Sequence, residues 1–263
     1  MTVAEYIKQL QSFEEYSFSL DELQRELGRS MTAIRSELSR LVNKGEIVNL
    51  RKGFYLIIPP RYSFSMKLPI QLYGEKLFRF LNKDYYLGLY TAAKIHGASH
   101  QQVQRDYVMT SSPKLNDIFN STFDIKFFTT SHWPAKNILS KNADAGTYRV
   151  SSPGLTALDL IYHQTRLGGL NRMLAVIEEL TEEIDQQDLT DLLSWYPGKS
   201  TLQRFGFLLE VFGGTEQHKE QIFEHLKSTE YYPVLLSPNS QQKPGSVDNK
   251  WKVDVNMKLE SDL

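Results

Sequence analysis

The sequence predicts an α+β protein: an N-terminal winged helix-turn-helix, then a larger α/β C-terminal domain with a small mixed sheet and several helices. Three observations lead there. Between Ser19 and Ile58 a short helical pattern, a glycine turn, a second helical pattern and a two-strand hairpin follow one another directly. Strand-like runs recur between Tyr107 and Ser151. From Ser152 to Ser228 apolar residues return mostly at helical spacing. The domain boundaries that follow are residues 1–58 for the first domain, 59–67 for a linker and 68–263 for the second domain.

Composition bounds the function. The 263 residues are enough for one or two domains, and 41% hydrophobic with 23% charged residues is ordinary for a soluble globular chain. The net charge is −1, so any nucleic-acid site must be a local patch. There is no cysteine, which excludes disulfides and cysteine-based zinc sites and fits a reducing compartment. The first ten residues alternate apolar and charged types and lack the apolar run of a signal peptide. No stretch approaches the roughly 18 apolar residues of a membrane span. A cytoplasmic location without membrane contact is expected.

In chain order, Val3, Tyr6, Ile7 and Leu10 mark an amphipathic helix over 2–14. Ser19 caps the next helix, whose stripe is Leu20, Leu23 and Leu27, and Gly28 stops it. Ser30 caps a second helix. There Met31, Ile34, Leu38, Leu41 and Val42 fall on one face, and Thr32, Arg35, Ser36, Ser39, Arg40 and Asn43 lie opposite or at its edge. Short hydroxyl and amide side chains mixed with arginine suit base edges and phosphates in a major groove. Lys44-Gly45 ends this helix. Strands Ile47–Leu50 and Phe54–Ile57 follow, joined through Arg51-Lys52-Gly53, a basic tip that suits the phosphate backbone. From Arg25 to Arg61 there are eight Lys or Arg against three Asp or Glu. The first 24 residues carry five acids and one base, so positive charge is focused on this unit. The candidate DNA-binding residues are Thr32, Arg35, Ser36, Ser39, Arg40, Lys44, Arg51 and Lys52.

Beyond the proline-containing 59–67 segment, residues 69–82 read as a helix. Ala92 and Ala93 suit a helix packed closely on a sheet and ended by Gly97. Tyr107–Thr110 and Phe123–Thr130 read as strands. In the second, Phe123, Ile125 and Phe127 face one way and Asp124, Lys126 and Phe128 the other. A hairpin spans 137–151 around Asp144-Ala145-Gly146. Ser152-Pro153 opens a helix with Leu155, Leu158, Ile161 and Tyr162 as its stripe. Helices follow over 170–184, 187–194, 199–212 and 215–228, then strands Tyr232–Leu236 and Trp251–Val255. The polar loop Ser237–Lys250 between those strands is mobile by composition.

Other chemistry is less well supplied. His96 and His100 stand four apart, but Gly97 ends the helix between them, and no metal site is expected. Asp106 with Asp124 and Lys126 has the acids and lysine of a metal-dependent nuclease, the alternative being a solvated strand face with an ion pair. Glu178, Glu179, Glu182, Glu183, Asp185, Asp188 and Asp191 form an acidic run that reads as a solvated helix face. Arg204 and Glu210 lie on an apolar helix and are expected in structural ion pairs. There is no glycine-rich phosphate loop and no nucleophile elbow. The reading is therefore not an enzyme, with no cofactor. A regulator that senses a ligand in an apolar pocket is a further alternative.

Several segments carry a family resemblance. They are Arg51-Lys52-Gly53-Phe54-Tyr55, the run from Tyr85 to Gly97, the run from Val150 to Leu160, Gln203-Arg204-Phe205-Gly206-Phe207-Leu208-Leu209-Glu210 and Trp251-Lys252-Val253-Asp254-Val255-Asn256. In this order the chain resembles the antitoxins (AbiEi) of AbiE-type abortive-infection systems, classed as type IV toxin–antitoxin systems. The family often has a charged pair after Ser152-Pro153, where this chain has Gly154-Leu155. The resemblance implies a winged helix that represses its own operon at inverted repeats, and a C-terminal domain that counters a nucleotidyltransferase-like toxin without a stable complex.

Overall fold

Side-chain caps fix the helix starts of the N-terminal region. Thr2 and Ser19 each accept from the backbone three residues on while Glu5 and Glu22 reach back, two full capping boxes. They open α1 (Val3–Ser12) and α2 (Leu20–Leu27), with the short strand β1 (Ser17–Ser19) between. Gly28, left-handed at φ 58°, closes α2, and Ser30 caps α3 (Met31–Asn43). β2 (Ile47–Arg51) and β3 (Phe54–Ile57) complete a three-stranded sheet in the order β1-β3-β2, both pairings antiparallel. Val3, Tyr6, Ile7 and Leu10 of α1, Leu23 of α2, and Ile34, Leu38 and Leu41 of α3 bury against Phe18, Ile47 and Ile57 of this sheet. This structure, a computed structural model, describes residues 1–98, 105–238 and 243–260.

The chain continues through 3₁₀ turns at Pro60–Tyr62 and Ile70–Leu72 into α4 (Gly74–Phe80), β4 (Tyr85–Leu87) and α5 (Leu89–Ile95). Then come β5 (Asp106–Thr110), β6 (Ile118–Phe119), β7 (Asp124–Thr129), β8 (Ile138–Ala143) and β9 (Gly146–Ser151). The remainder is α6 (Pro153–Tyr162), α7 (Leu174–Glu182), α8 (Gln186–Leu193), α9 (Lys199–Val211), α10 (Glu216–Lys227), β10 (Val234–Leu235) and β11 (Val253–Asp254). An N-terminal helical and stranded region thus precedes a mixed-sheet region, as an α+β chain requires. The larger sheet runs β6-β7-β5-β4-β9-β8, with β5 and β7 parallel and β6 and β7 antiparallel.

Packing divides the chain into two compact units. The first comprises Met1–Tyr86, Gln104–Thr130 and Ser140–Val150; the second comprises Leu87–Val103, Ser131–Leu139 and Ser151–Leu263. Inside the first, Phe78 stacks on Tyr85 at 4.3 Å and meets Phe127 edge-on at 6.0 Å, while Tyr73 meets Phe123 at 6.3 Å. The same unit ties α4 to the N-terminal helices and strands. Lys76 pairs with Glu15, and Phe80 lies 5.3 Å from Phe54. Within the 59–67 segment, Arg61 pairs with Asp144 at 2.8 Å.

In the second unit α6 is buried from Gly154 to Ile161 and packs against α5, α7, α8 and α9. β10 and β11 pair in parallel beside α9, where Gln203 donates to the carbonyls of Tyr232 and Trp251 at 2.9 and 2.8 Å.

Several expectations change. The helix expected over 69–82 is a 3₁₀ turn followed by α4, with the break at Tyr73-Gly74. Tyr85–Leu87, ahead of the expected helix, is a strand, and Ile118–Phe119 adds a strand with no counterpart in the sequence reading. Phe128, on the side of β7 that carries Asp124 and Lys126, is buried, so that side is not solvated along its whole length; its ring lies 6.1 Å from that of Tyr107. Tyr162 is 52% exposed and Val255 48%, so neither ends its apolar stripe inside. Residues 239–242, in the middle of the loop expected to be mobile, lie outside the described residues.

Candidate nucleic-acid interface

α3 is the best-defined polar surface of the N-terminal region. Burial of Ile34, Leu38 and Leu41 turns the opposite face outward, and Thr32, Arg35, Ser36, Ser39 and Arg40 are all exposed on it. Lys44, the C-cap residue, is exposed beyond them. Val42, expected on the inner stripe, is 37% exposed instead. Arg40 donates to the Ser36 hydroxyl at 3.3 Å, one helical turn away.

The charge balance of this face follows from one glutamate. Glu37 is the sole acid of α3, and it is drawn aside. Its carboxylate accepts the Val3 N–H at 3.1 Å and pairs with Arg29 at 2.6 Å. The Val3 hydrogen bond, then Arg29, hold its carboxyl below the usual range, so it stays ionised and occupied. Among the described residues Arg35 and Arg40 form no salt bridge. The outward face therefore presents two guanidinium groups and three hydroxyls with no carboxylate among them. Such a surface can donate to phosphate oxygens and to guanine or adenine edges.

The hairpin differs from its expected form. Arg51 is not in the tip. It is the last residue of β2, paired with Phe54 after a bulge. Arg51 is half-buried, and its Nη1 is buried without a hydrogen bond. The turn is Lys52-Gly53, with Gly53 at φ 82°. Lys52 is exposed. The Gly53 carbonyl accepts the Leu20 N–H at 2.8 Å, which joins the turn to the start of α2. A Cβ on Gly53 would lie 3.7 Å from the Phe80 ring, so the turn rests on α4. Lys44 approaches Glu46 only at 3.9 Å, a weak surface contact.

The other candidate groups are engaged elsewhere. Asp124 pairs with Arg105 at 2.6 Å and Lys126 with Asp117 at 3.0 Å, so the two nuclease candidates sit in separate ion pairs. No group of three or more His, Asp or Glu that could hold a metal occurs among the described residues. His96 lies 2.7 Å from the Ser151 carbonyl, and His100 is outside the described residues. The acidic run is partly structural. Asp185 caps α8, and Asp191 pairs with Lys136 at 2.6 Å. Asp188 accepts from Asn137 Nδ2 at 2.6 Å and from the Gly154 N–H at 2.8 Å. Asn137, which also accepts the Trp195 indole N–H at 2.8 Å, carried no sequence signal beyond its residue type. Arg204 donates to the Leu235 carbonyl at 2.9 Å rather than to a carboxylate. Glu210 does form ion pairs, with Lys219 and Lys250. A cleft of about 280 Å³ in the first unit is lined largely by charged side chains, unlike the apolar pocket of a small-molecule sensor.

Residues 86–211 match the family described as the AbiEi antitoxin C-terminal domain. This segment belongs to that family. The AbiEi segment runs from β4 to the end of α9, so every candidate DNA-binding residue precedes it. Its family is one of antitoxins, which supports an antitoxin or regulatory role rather than catalysis. The fold is similar to that of the RV2827C protein from Mycobacterium tuberculosis, known from its crystal structure, with a TM-score of 0.64 at 18% identity. That similarity covers 95% of this chain and 89% of the other. No curated protein matches the chain. Among the described residues no helix is long and apolar enough to cross a membrane.

Proposed function

We propose that this protein is the antitoxin of a type IV toxin–antitoxin system and the repressor of its own operon. Residues 1–58 act as a winged helix-turn-helix: α3 enters the major groove of inverted-repeat promoter DNA, and the β2–β3 turn meets the backbone beside it. Thr32, Arg35, Ser36, Ser39 and Arg40 are the readers, Lys44 and Lys52 the phosphate contacts, and Arg51 a lesser one because half of it is buried. The AbiEi domain counters a nucleotidyltransferase-like toxin, and this antagonism does not require a stable complex. Inverted repeats call for two copies on the duplex. The protein acts in the cytoplasm, in abortive infection as a resistance to phage.

The observation that carries this reading is the acid-free outer face of α3, held outward by a buried stripe and relieved of its one glutamate by Val3 and Arg29. AbiEi membership supports the antitoxin half. The test has two arms. Footprinting with purified full-length protein on the DNA upstream of its gene should protect both arms of an inverted repeat. A nucleotidyltransferase-like gene should lie beside its own, and coexpression with the antitoxin should restore growth to cells that carry that gene. Absence of protection refutes the repressor, and failure to restore growth refutes the antitoxin.

A further inference from the structure

The β2–β3 turn of the first unit is not a free projection, and this has a consequence for the size of the DNA footprint. Phe80, the last residue of α4, lies under the turn, 3.7 Å from where a Gly53 Cβ would stand and 5.3 Å from the Phe54 ring. α4 is also anchored at its middle, where Lys76 pairs with Glu15 and donates to the Ser17 carbonyl. The side chain next to Phe80 is Arg79, which is 75% exposed and meets Glu75 only at 3.7 Å. Beside α4 opens the charged cleft. It carries Arg79, Lys83 and Arg149 against Glu75 and Asp84, with Tyr85 on its wall. Arg149 reaches its two acids at 3.9 and 3.8 Å, and its guanidinium stands 5.9 Å from the centre of the Tyr85 ring. These contacts are long, so they leave most guanidinium N–H donors available to another anion.

Resting on the DNA-binding reading above, we propose that the protein–DNA contact continues past the turn onto α4, with Arg79 as a further phosphate contact and Arg149 behind it. A duplex whose backbone meets Lys52 passes the turn on which Phe80 is packed. Arg79, which precedes Phe80 on α4, is an exposed cation of the helix on which the turn rests. Guanidinium groups suit phosphate because their donors fork onto two oxygens. Such a contact adds affinity and salt dependence, and it carries no base preference.

The test is promoter binding by full-length protein with Arg79→Ala, measured against salt concentration, on a full-length duplex and on one trimmed just beyond the turn's contact. Arg79→Ala removes an exposed side chain and leaves Phe80 in place, and a thermal melt equal to wild type confirms the fold. On the long duplex Arg79→Ala should weaken binding several-fold, equally for promoter and shuffled sequence. It should also lower the log–log salt slope by about 0.9, one phosphate contact. On the trimmed duplex wild type and variant should converge. Wild-type binding with an Arg79→Ala slope unchanged on the long duplex overturns the α4 contact and leaves the DNA-binding reading standing. Absence of wild-type binding overturns both.

Discussion

Gly154 opens α6 directly after Pro153, and Asp188 supplies the reason for its size. The Gly154 N–H donates to Asp188 Oδ2 at 2.8 Å, and a Cβ at position 154 would lie 3.0 Å from that same oxygen. Asp188 cannot easily give way, because Asn137 holds its other oxygen. Alanine within a helix otherwise gains up to about 1 kcal/mol over glycine. Gly154→Ala should therefore cost about 1 kcal/mol in the wild type and become stabilising in an Asp188→Ala background, a sign change that a denaturant double-mutant cycle reads directly. The sequence shows Gly154 after Ser152-Pro153 but hides its partner 34 residues away in an acidic run that reads as solvated. His163 offers a pH test. Burial, and then the charge of Arg166, lower its pKa from 6.5 to about 4. Between those values the unfolded chain binds a proton that the folded chain refuses, so stability falls as pH drops through that window and is fully present above it. The loss should be roughly 3 kcal/mol, and His163→Gln should flatten this part of the profile measured by urea unfolding.

Helices with one buried stripe and a capping residue were the most legible elements. α2 and α3 follow their serine caps and leucine spacing closely, because both signals are local. The hairpin was legible as strands, yet not in its turn. The bulge before Arg51 shifts that residue into β2, and a bulge depends on partner strands rather than on local composition. The run 69–82 failed as one helix because Tyr73 is fully buried against Phe123 and its backbone turns there. At the other end, Gly206 lies in the Gln203–Glu210 run, but its role is visible only in the structure. A Cβ there would fall 2.1 Å from Trp251 Cζ3, so α9 approaches the buried indole as only a glycine allows. Gly206→Ala should lower stability by roughly 1–3 kcal/mol, seen as a fall in denaturation midpoint. A variant as stable as the wild type would remove this account of how β11 seats on α9.

Across the whole molecule, a net charge of −1 conceals a local excess of cations between Arg25 and Arg61. Pairing sharpens that excess, since Glu37 is drawn inward and α3 keeps Arg35 and Arg40 facing solvent. The exposure of this polar face was thus largely readable from the helix period, whereas the placement of Arg51 in β2 and the Phe80 support under the turn were not. Contacts that join residues far apart in sequence, such as Gly53 with Phe80, leave no local pattern. The most direct test of the central claim is the affinity of full-length protein for its promoter duplex and for a shuffled duplex, across a range of salt. Wild type should prefer the promoter by roughly 10³-fold or more. Arg40→Ala or Ser36→Ala should reduce that preference by about 1–3 kcal/mol. Lys52→Ala should weaken binding to both duplexes alike and lower the salt slope by about 1. Equal affinity for the two duplexes, or binding indifferent to salt and to these substitutions, would contradict a DNA-reading α3.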